Sequence, residues 1–262
     1  MTPAPPFSEP PPAATAAALR HGSRACVSPN KRLHRLILGV AGLISASPVA
    51  AEVGASAAVF SEASFRGYSL SQGRPVGLLN LSYDHTKGAY AAASGSFVLG
   101  TDDGIEPLSL QLNAGYAKRL PSDLVLDMGI THSSYSSYSS RGSNSYTEIY
   151  AGVSRKALSA RISYAPHYFA PGYRTLYGEV DVSVSPMTKL NLNAHIGLLV
   201  PVDYPEEFEK PRAQRDWRIG VSRQTGRLSL HAFLTGGGPG RDYYRERYHN
   251  RSRLVFGLSY PL

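Results

Sequence analysis

Eight ionisable residues, Asp127, Glu148, Arg161, Glu179, Asp181, His195, Arg218 and His231, share the polar phase of alternating segments along this chain. Arg66 precedes them, at the end of the first such segment. Both signs of charge are present. The set could line a water-filled passage and fix its ion preference, as rings of charged side chains do in pores. It could equally neutralise itself inside a narrow enclosed space. Pairing the segments symmetrically about their connections places Arg161 opposite Glu179, Glu179 opposite His195, and His195 opposite Arg218. The result is a belt of alternating charge in which His195 would supply a response to pH. Arg66-Gly67 has two readings as well. One is a constriction cation that favours anions or sugars. The other is a clamp onto a loop carboxylate such as Glu62, with Gly67 permitting a tight turn.

Catalytic chemistry has little to work with. His132-Ser133-Ser134 is the local Ser–His neighbourhood, and a serine nucleophile needs its base within hydrogen-bond reach and a third group to orient that base. His132 shares the phase of Met128 and Ile130, whereas Asp127 belongs to the other, so no catalytic residue is expected and the chain reads as a non-enzyme. Gly236-Gly237-Gly238-Pro239-Gly240 lacks the Gly-Lys-Ser/Thr element of a phosphate loop and reads as a flexible connection. Arg241 to Arg251 is rich in arginine and fits either lipopolysaccharide phosphates or a solvated loop. The single cysteine, Cys26, leaves no disulfide or thiolate metal site to the mature chain, and neither a metal nor a cofactor is expected.

Strict alternation over 8 to 12 residues, broken by turn chemistry, is what must position these groups. Leu108-Ser109-Leu110-Gln111-Leu112-Asn113 and Leu190-Asn191-Leu192-Asn193-Ala194-His195 are clear cases. Twelve strands are expected, near 54–64, 75–85, 89–99, 106–118, 124–134, 145–155, 158–166, 173–185, 189–200, 214–223, 227–235 and 251–260. Short and mostly longer connections alternate between them. The fold class implied is all-β, an up-and-down antiparallel transmembrane β-barrel with short periplasmic turns and longer outer loops. A soluble lipocalin-type barrel would alternate similarly with its apolar side inward. Charges, however, keep to one phase, and Tyr83, Tyr90, Tyr116, Tyr146, Tyr164 and Tyr173 lie near strand ends, as interfacial girdles require.

Residues 1–51 precede that pattern. A basic stretch, Lys31-Arg32-Leu33-His34-Arg35, is followed by the apolar run from Leu36 to Ile44 and by small residues up to Ala51. That order describes a cleavable secretory signal behind an N-terminal extension, leaving 52–262 as the barrel. Cleavage removes five of the 27 basic and one of the 19 acidic residues, so the mature charge falls from +8 to +4. The remaining basic residues are scattered, which argues against a nucleic-acid partner.

Several segments together resemble the TorF-type porin family, an outer-membrane β-barrel family formerly of unknown function. They are Phe65-Arg66-Gly67-Tyr68-Ser69-Leu70-Ser71 with Gly73 and Pro75, Asn144 to Gly152, Ser163-Tyr164-Ala165-Pro166 with Tyr168-Phe169, and Ala194-His195-Ile196-Gly197 with Asp216-Trp217. The likeness spans residues 54–262. It implies an outer-membrane barrel with a channel role and supplies no substrate and no catalytic residue. The end of the chain, Tyr260-Pro261-Leu262, departs from the terminal aromatic common in such barrels. The function expected is passive diffusion of small hydrophilic solutes across the bacterial outer membrane, with lipids and lipopolysaccharide as surroundings. The alternative is a plugged barrel serving as a surface receptor, adhesin or scaffold through its outer loops.

Overall fold

The computed structural model describes residues 51–101, 104–136, 144–206, 212–238 and 252–262. The signal-peptide reading lies outside them except for Ala51, and so does the arginine cluster at 241–251. Fourteen strands follow in chain order: β1 (Ala51–Phe60), β2 (Ser64–Phe65), β3 (Tyr68–Ser69), β4 (Val76–His85), β5 (Ala89–Thr101), β6 (Gly104–Arg119), β7 (Leu124–Tyr135), β8 (Ser145–Arg155), β9 (Leu158–Ala165), β10 (Arg174–Met187), β11 (Leu190–Asp203), β12 (Gln214–Thr225), β13 (Leu228–Gly237) and β14 (Arg253–Pro261). Twelve of them close an antiparallel barrel in which β1 pairs with both β4 and β14. The other two, β2 and β3, form a hairpin within the first long connection.

Each barrel strand pairs with its sequence neighbour because the short connections are true tight turns. Asp123, Lys156, Lys189 and Gly226 take positive φ there, which closes the turns in place. Gly88 does the same and donates to the His85 carbonyl at 2.8 Å. These turns form one rim and the long loops the other. The β5–β6 connection is an exception among the long ones, since Thr101 already pairs with Gly104.

Alternation becomes geometry on the barrel wall. Outward positions include Val53, Leu81, Met128, Ile196 and Ile219, all more than half exposed. With their neighbours they make a continuous apolar belt, far larger than the patches soluble monomers tolerate. Inward positions carry the polar set. Two irregularities shift the simple phase. On β6 an extra residue between Ser109 and Pro107 turns Leu108 inward, against Val76 and Val98, rather than toward the apolar belt. On β10, Ser185 and Pro186 oppose the single Asn191, a bulge at the kind of site where a strand tolerates proline. The turn itself closes at Thr188-Lys189, beyond Pro186, and together with the one-residue shift of the bulge this leaves the β10–β11 register two residues from the symmetric expectation.

Two buried clusters fill the long-loop half. One packs Phe60, Val76, Val98, Leu108, Phe233 and Val255 beneath the first loop. The other gathers Phe65, Tyr135, Tyr146, Tyr168, Phe169, Tyr173, Tyr177 and Leu199. Leu70 touches both.

Candidate functional site

The first loop does not stand above the barrel but folds into it. Phe65 pairs with Tyr68 across Arg66 (φ 43°) and Gly67 (φ 80°), the two-residue turn with positive φ at both central positions that suits tight hairpins. Close approach adds a second demand on Gly67: a Cβ there would sit 2.7 Å from the carbonyl carbon of Gly237 and the amide of Gly238. Arg253 anchors the base of the hairpin from β14, donating to the Gly67 carbonyl at 2.8 Å and lying 3.3 Å from Glu62. Glu62 also accepts from Ser69.

From that anchorage Arg66 spans the lumen. Its Nη2 donates to both Glu148 oxygens, at 3.0 and 3.1 Å, and both side chains are only 3% exposed. In the ring of strands, β8 lies almost diametrically opposite β1, from which the loop departs. Of the two readings of Arg66 the clamp is the one seen, but its carboxylate is Glu148 and not Glu62, which Arg253 occupies. Four rings surround the guanidinium: Tyr177 at 3.9 Å from its centre, Phe65 at 5.0, Tyr168 at 5.5 and Tyr146 at 5.7 Å. Tyr168 comes from the β9–β10 loop, which turns back through Tyr168 N–H to the Tyr173 carbonyl at 2.7 Å. Burial pushes the Tyr168 phenol above its ordinary value, with the Arg66 charge acting the other way, so it stays a neutral hydroxyl.

Below this layer two charged networks cross the wall. Arg161 reaches Asp127 at 3.4 Å and Glu179 at 3.9 Å, and lies 4.2 Å over the Tyr150 ring. Tyr90 donates to Asp127 at 2.6 Å and contacts Tyr150, whose hydroxyl donates to Asn113 at 3.1 Å. The second network is centred on His195, whose ring nitrogens lie 2.9 Å from Asp181 and 2.9 Å from Asp216. Tyr177 donates to Asp216 at 3.2 Å and touches His195 at 3.2 Å. Arg218 is buried beside Phe233, at 5.9 Å, and His231 meets Ser259 at 2.9 Å.

All eight strand residues in the expected set therefore face inward, and Arg66 joins them from the hairpin. The belt of alternating charge is corrected at one step. Arg161 does pair with Glu179, and His195 with Arg218. Glu179 instead faces Gly197, and Asp181 takes the place opposite His195, because the β10–β11 turn closes at Thr188-Lys189, beyond Pro186, with the bulge behind it. The tyrosine girdle is corrected too. Tyr83 and Tyr116 lie on the outer surface, but Tyr90, Tyr146 and Tyr173 are buried inside. Tyr90 fits inside because the glycine opposite it, Gly115, leaves room for the ring. Asp216 and Tyr177 lie outside the expected inward set, although Asp216 shares the phase of Arg218 and Tyr177 that of Glu179.

Glu179, Asp181 and His195 bring metal-ligand atoms within 4.8 Å of one another. Both nitrogens of His195 already meet carboxylates, and Arg161 stands beside Glu179, so the group forms a charge-balanced network. His132 and Ser133 occupy opposite faces: His132 bonds Thr147 outside at 2.9 Å, while Ser133 is buried within. Ser56, Asn80, Ser94, Ser183 and Asn191 add small polar groups to the inner faces of β1, β4, β5, β10 and β11 and are half-buried. The inner surface thus joins these polar groups and the charged networks to an aromatic layer, on the long-loop side, where the hairpin is seated.

Comparison with known proteins follows from this architecture. The model of a family described as "Bacterial protein of unknown function (Gcw_chp)" matches residues 44–245. No curated protein sequence matches. Among solved structures, a NanC porin is 11% identical with a TM-score of 0.51, covering 79% of this chain and 98% of its own. A KdgM porin is 11% identical with a TM-score of 0.49, covering 79% and 98%. An outer membrane channel from Pseudomonas putida F1 is 12% identical with a TM-score of 0.45, covering 84% and 97%. At such identity the NanC likeness is one of fold.

Proposed function

The chain belongs to that family of bacterial proteins of unknown function, and from this premise we propose that it is a porin-like channel of the bacterial outer membrane for small hydrophilic solutes. One observation carries the reading: a closed barrel with an apolar belt outside and polar and charged side chains on its inner wall beneath the buried clusters of the long-loop half. Lipid satisfies the first surface and water the second. The short-turn rim then faces the periplasm and the long loops face outward. The resemblance to TorF-type porins in the first hairpin and in the β8, β9 and β11–β12 segments supports the same role. Catalysis gains nothing from the geometry, since His132 and Ser133 point to opposite sides of the wall.

A second reading has its own support. The Arg66 hairpin occupies the lumen and ties its two sides together, as a permanently plugged receptor or scaffold would require. Planar-bilayer recording of the refolded protein, wild type and Arg66→Gln, separates the two. A gated pore gives discrete steps that the substitution makes larger or more frequent. Silence in both, with barrel folding intact by heat-modifiable gel mobility, removes the channel and leaves the scaffold.

A further inference from the structure

We infer that the aromatic chamber around Arg66 is a recognition site for a solute bearing a guanidinium group, with Arg66 as its built-in occupant. This rests on the channel reading above and deepens it by naming a solute class. The chamber is a property of the wall and not of the hairpin. Tyr146 and Glu148 stand on β8, Tyr177 on β10, and Tyr168 on the loop between β9 and β10. Those groups hold one another independently of Arg66. Tyr146 packs 4.8 Å from both Tyr168 and Phe169, and Tyr177 is fixed through Asp216 and His195.

What the chamber offers is specific. The two Glu148 oxygens face one guanidinium nitrogen, and ring faces stack around the planar carbon centre, nearest at Tyr177. A desolvated delocalised cation gains from ring faces, and its flat centre stacks on them in a way that a compact, strongly hydrated ammonium does not. The hairpin has anchors of its own besides: Arg253 grips Glu62 and the Gly67 carbonyl, and Gly67 packs against Gly237 and Gly238. Arg66 is the charge that the hairpin delivers into a site already built.

The route inward agrees. Past the chamber the wall bears Asp127, Glu179, Asp181 and Asp216 against Arg161, Arg218 and the ring of His195. With Glu148 released from Arg66, the carboxylates outnumber the arginines, so a cation is drawn in and an anion repelled. A solute guanidinium that takes the place of Arg66 would therefore displace the hairpin and enter a passage of matching sign.

The test uses the full-length refolded protein and ethylguanidinium as probe, with propylammonium and propionamide as controls. Arg66→Ala vacates the chamber. In isothermal titration this variant should bind ethylguanidinium, and wild type should bind at least about tenfold more weakly, because its tethered Arg66 competes at high effective concentration. Arg66→Ala with Glu148→Gln should lose the binding, and propylammonium and propionamide should bind worse than the guanidinium. In bilayers the same probe should block the Arg66→Ala current. If Arg66→Ala proves not to fold, by gel mobility, Arg66→Gln replaces it. No binding to a folded variant, or binding indifferent to Glu148, overturns the inference and makes the pair a latch only. Binding with no current in any variant keeps the site and removes the channel. Current without binding keeps the channel and removes the site.

Discussion

The guanidinium of Arg66 meets the carboxylate of Glu148 at 3.0 Å across the width of the barrel, although 82 positions separate them in the chain. Neither side chain reaches water, so their charges depend on one another and on the rings around them. A loop of the long-loop rim is thereby turned into part of the interior.

Breaking that pair strands a buried charge, which typically costs about 3–5 kcal/mol. Arg66→Gln and Glu148→Gln should each loosen the hairpin, with conductance steps in planar bilayers larger or more frequent than in wild type. Arg66→Glu combined with Glu148→Arg should lie closer to wild type than either exchange alone. A double exchange no better than the singles would show that something else holds the loop.

Gly67 makes a sharper probe of docking. Its φ of 80° disfavours any side chain by about 1–2 kcal/mol, and an added Cβ would press on Gly237 and Gly238 at 2.7 Å. Gly73 shares the same φ but would meet nothing within 4 Å. Gly67→Ala is therefore expected to expose the 61–75 segment to protease at the outer rim, while Gly73→Ala exposes it far less. Both variants should keep the mobility of a folded barrel on unboiled gels.

Strand count and inward phase were legible because one side of every strand meets apolar surroundings and the other polar ones, which enforces alternation residue by residue. The β10–β11 register was not, since Pro186 reads as a turn residue but sits in a bulge, and the turn itself closes at Lys189. The hairpin was invisible for a different reason. Phe65-Arg66-Gly67-Tyr68 announces a tight turn, but its direction is decided by Glu148, Arg253 and Gly237, far away in sequence. The buried tyrosines could have been found. Tyr146 and Tyr150 share the phase of Glu148, so once that residue is placed inside they must follow.

Arg161 is the hub of the lower network, 3.4 Å from Asp127 and 3.9 Å from Glu179. Arg161→Met would remove the cation that Asp127 and Glu179 share. A loss of about 3–5 kcal/mol is expected, lowering the temperature at which the folded band disappears on gels by roughly 10 °C. Adding Asp127→Asn should restore part of it, as one charge fewer then needs a partner. An unchanged transition for Arg161→Met would mean that Arg161 is not what compensates these two carboxylates.

Neighbouring residues on β12 test which side of the wall meets lipid. Ile219 is 62% exposed on the outside, mid-strand between Ala194 and Leu234, whereas Arg218 is 6% exposed within. Arginine on the lipid face costs about 2–4 kcal/mol at the bilayer midplane and about 0–1 near the interface. Ile219→Arg should therefore cut the yield of barrel folded into lipid vesicles steeply. Leu228→Arg, outward-facing but next to the short-turn rim, should cost little. A soluble barrel would show the reverse preference, because a charge on a water-facing apolar surface improves it. Equal yields for the two variants would remove the bilayer from around Ile219, and the channel reading with it.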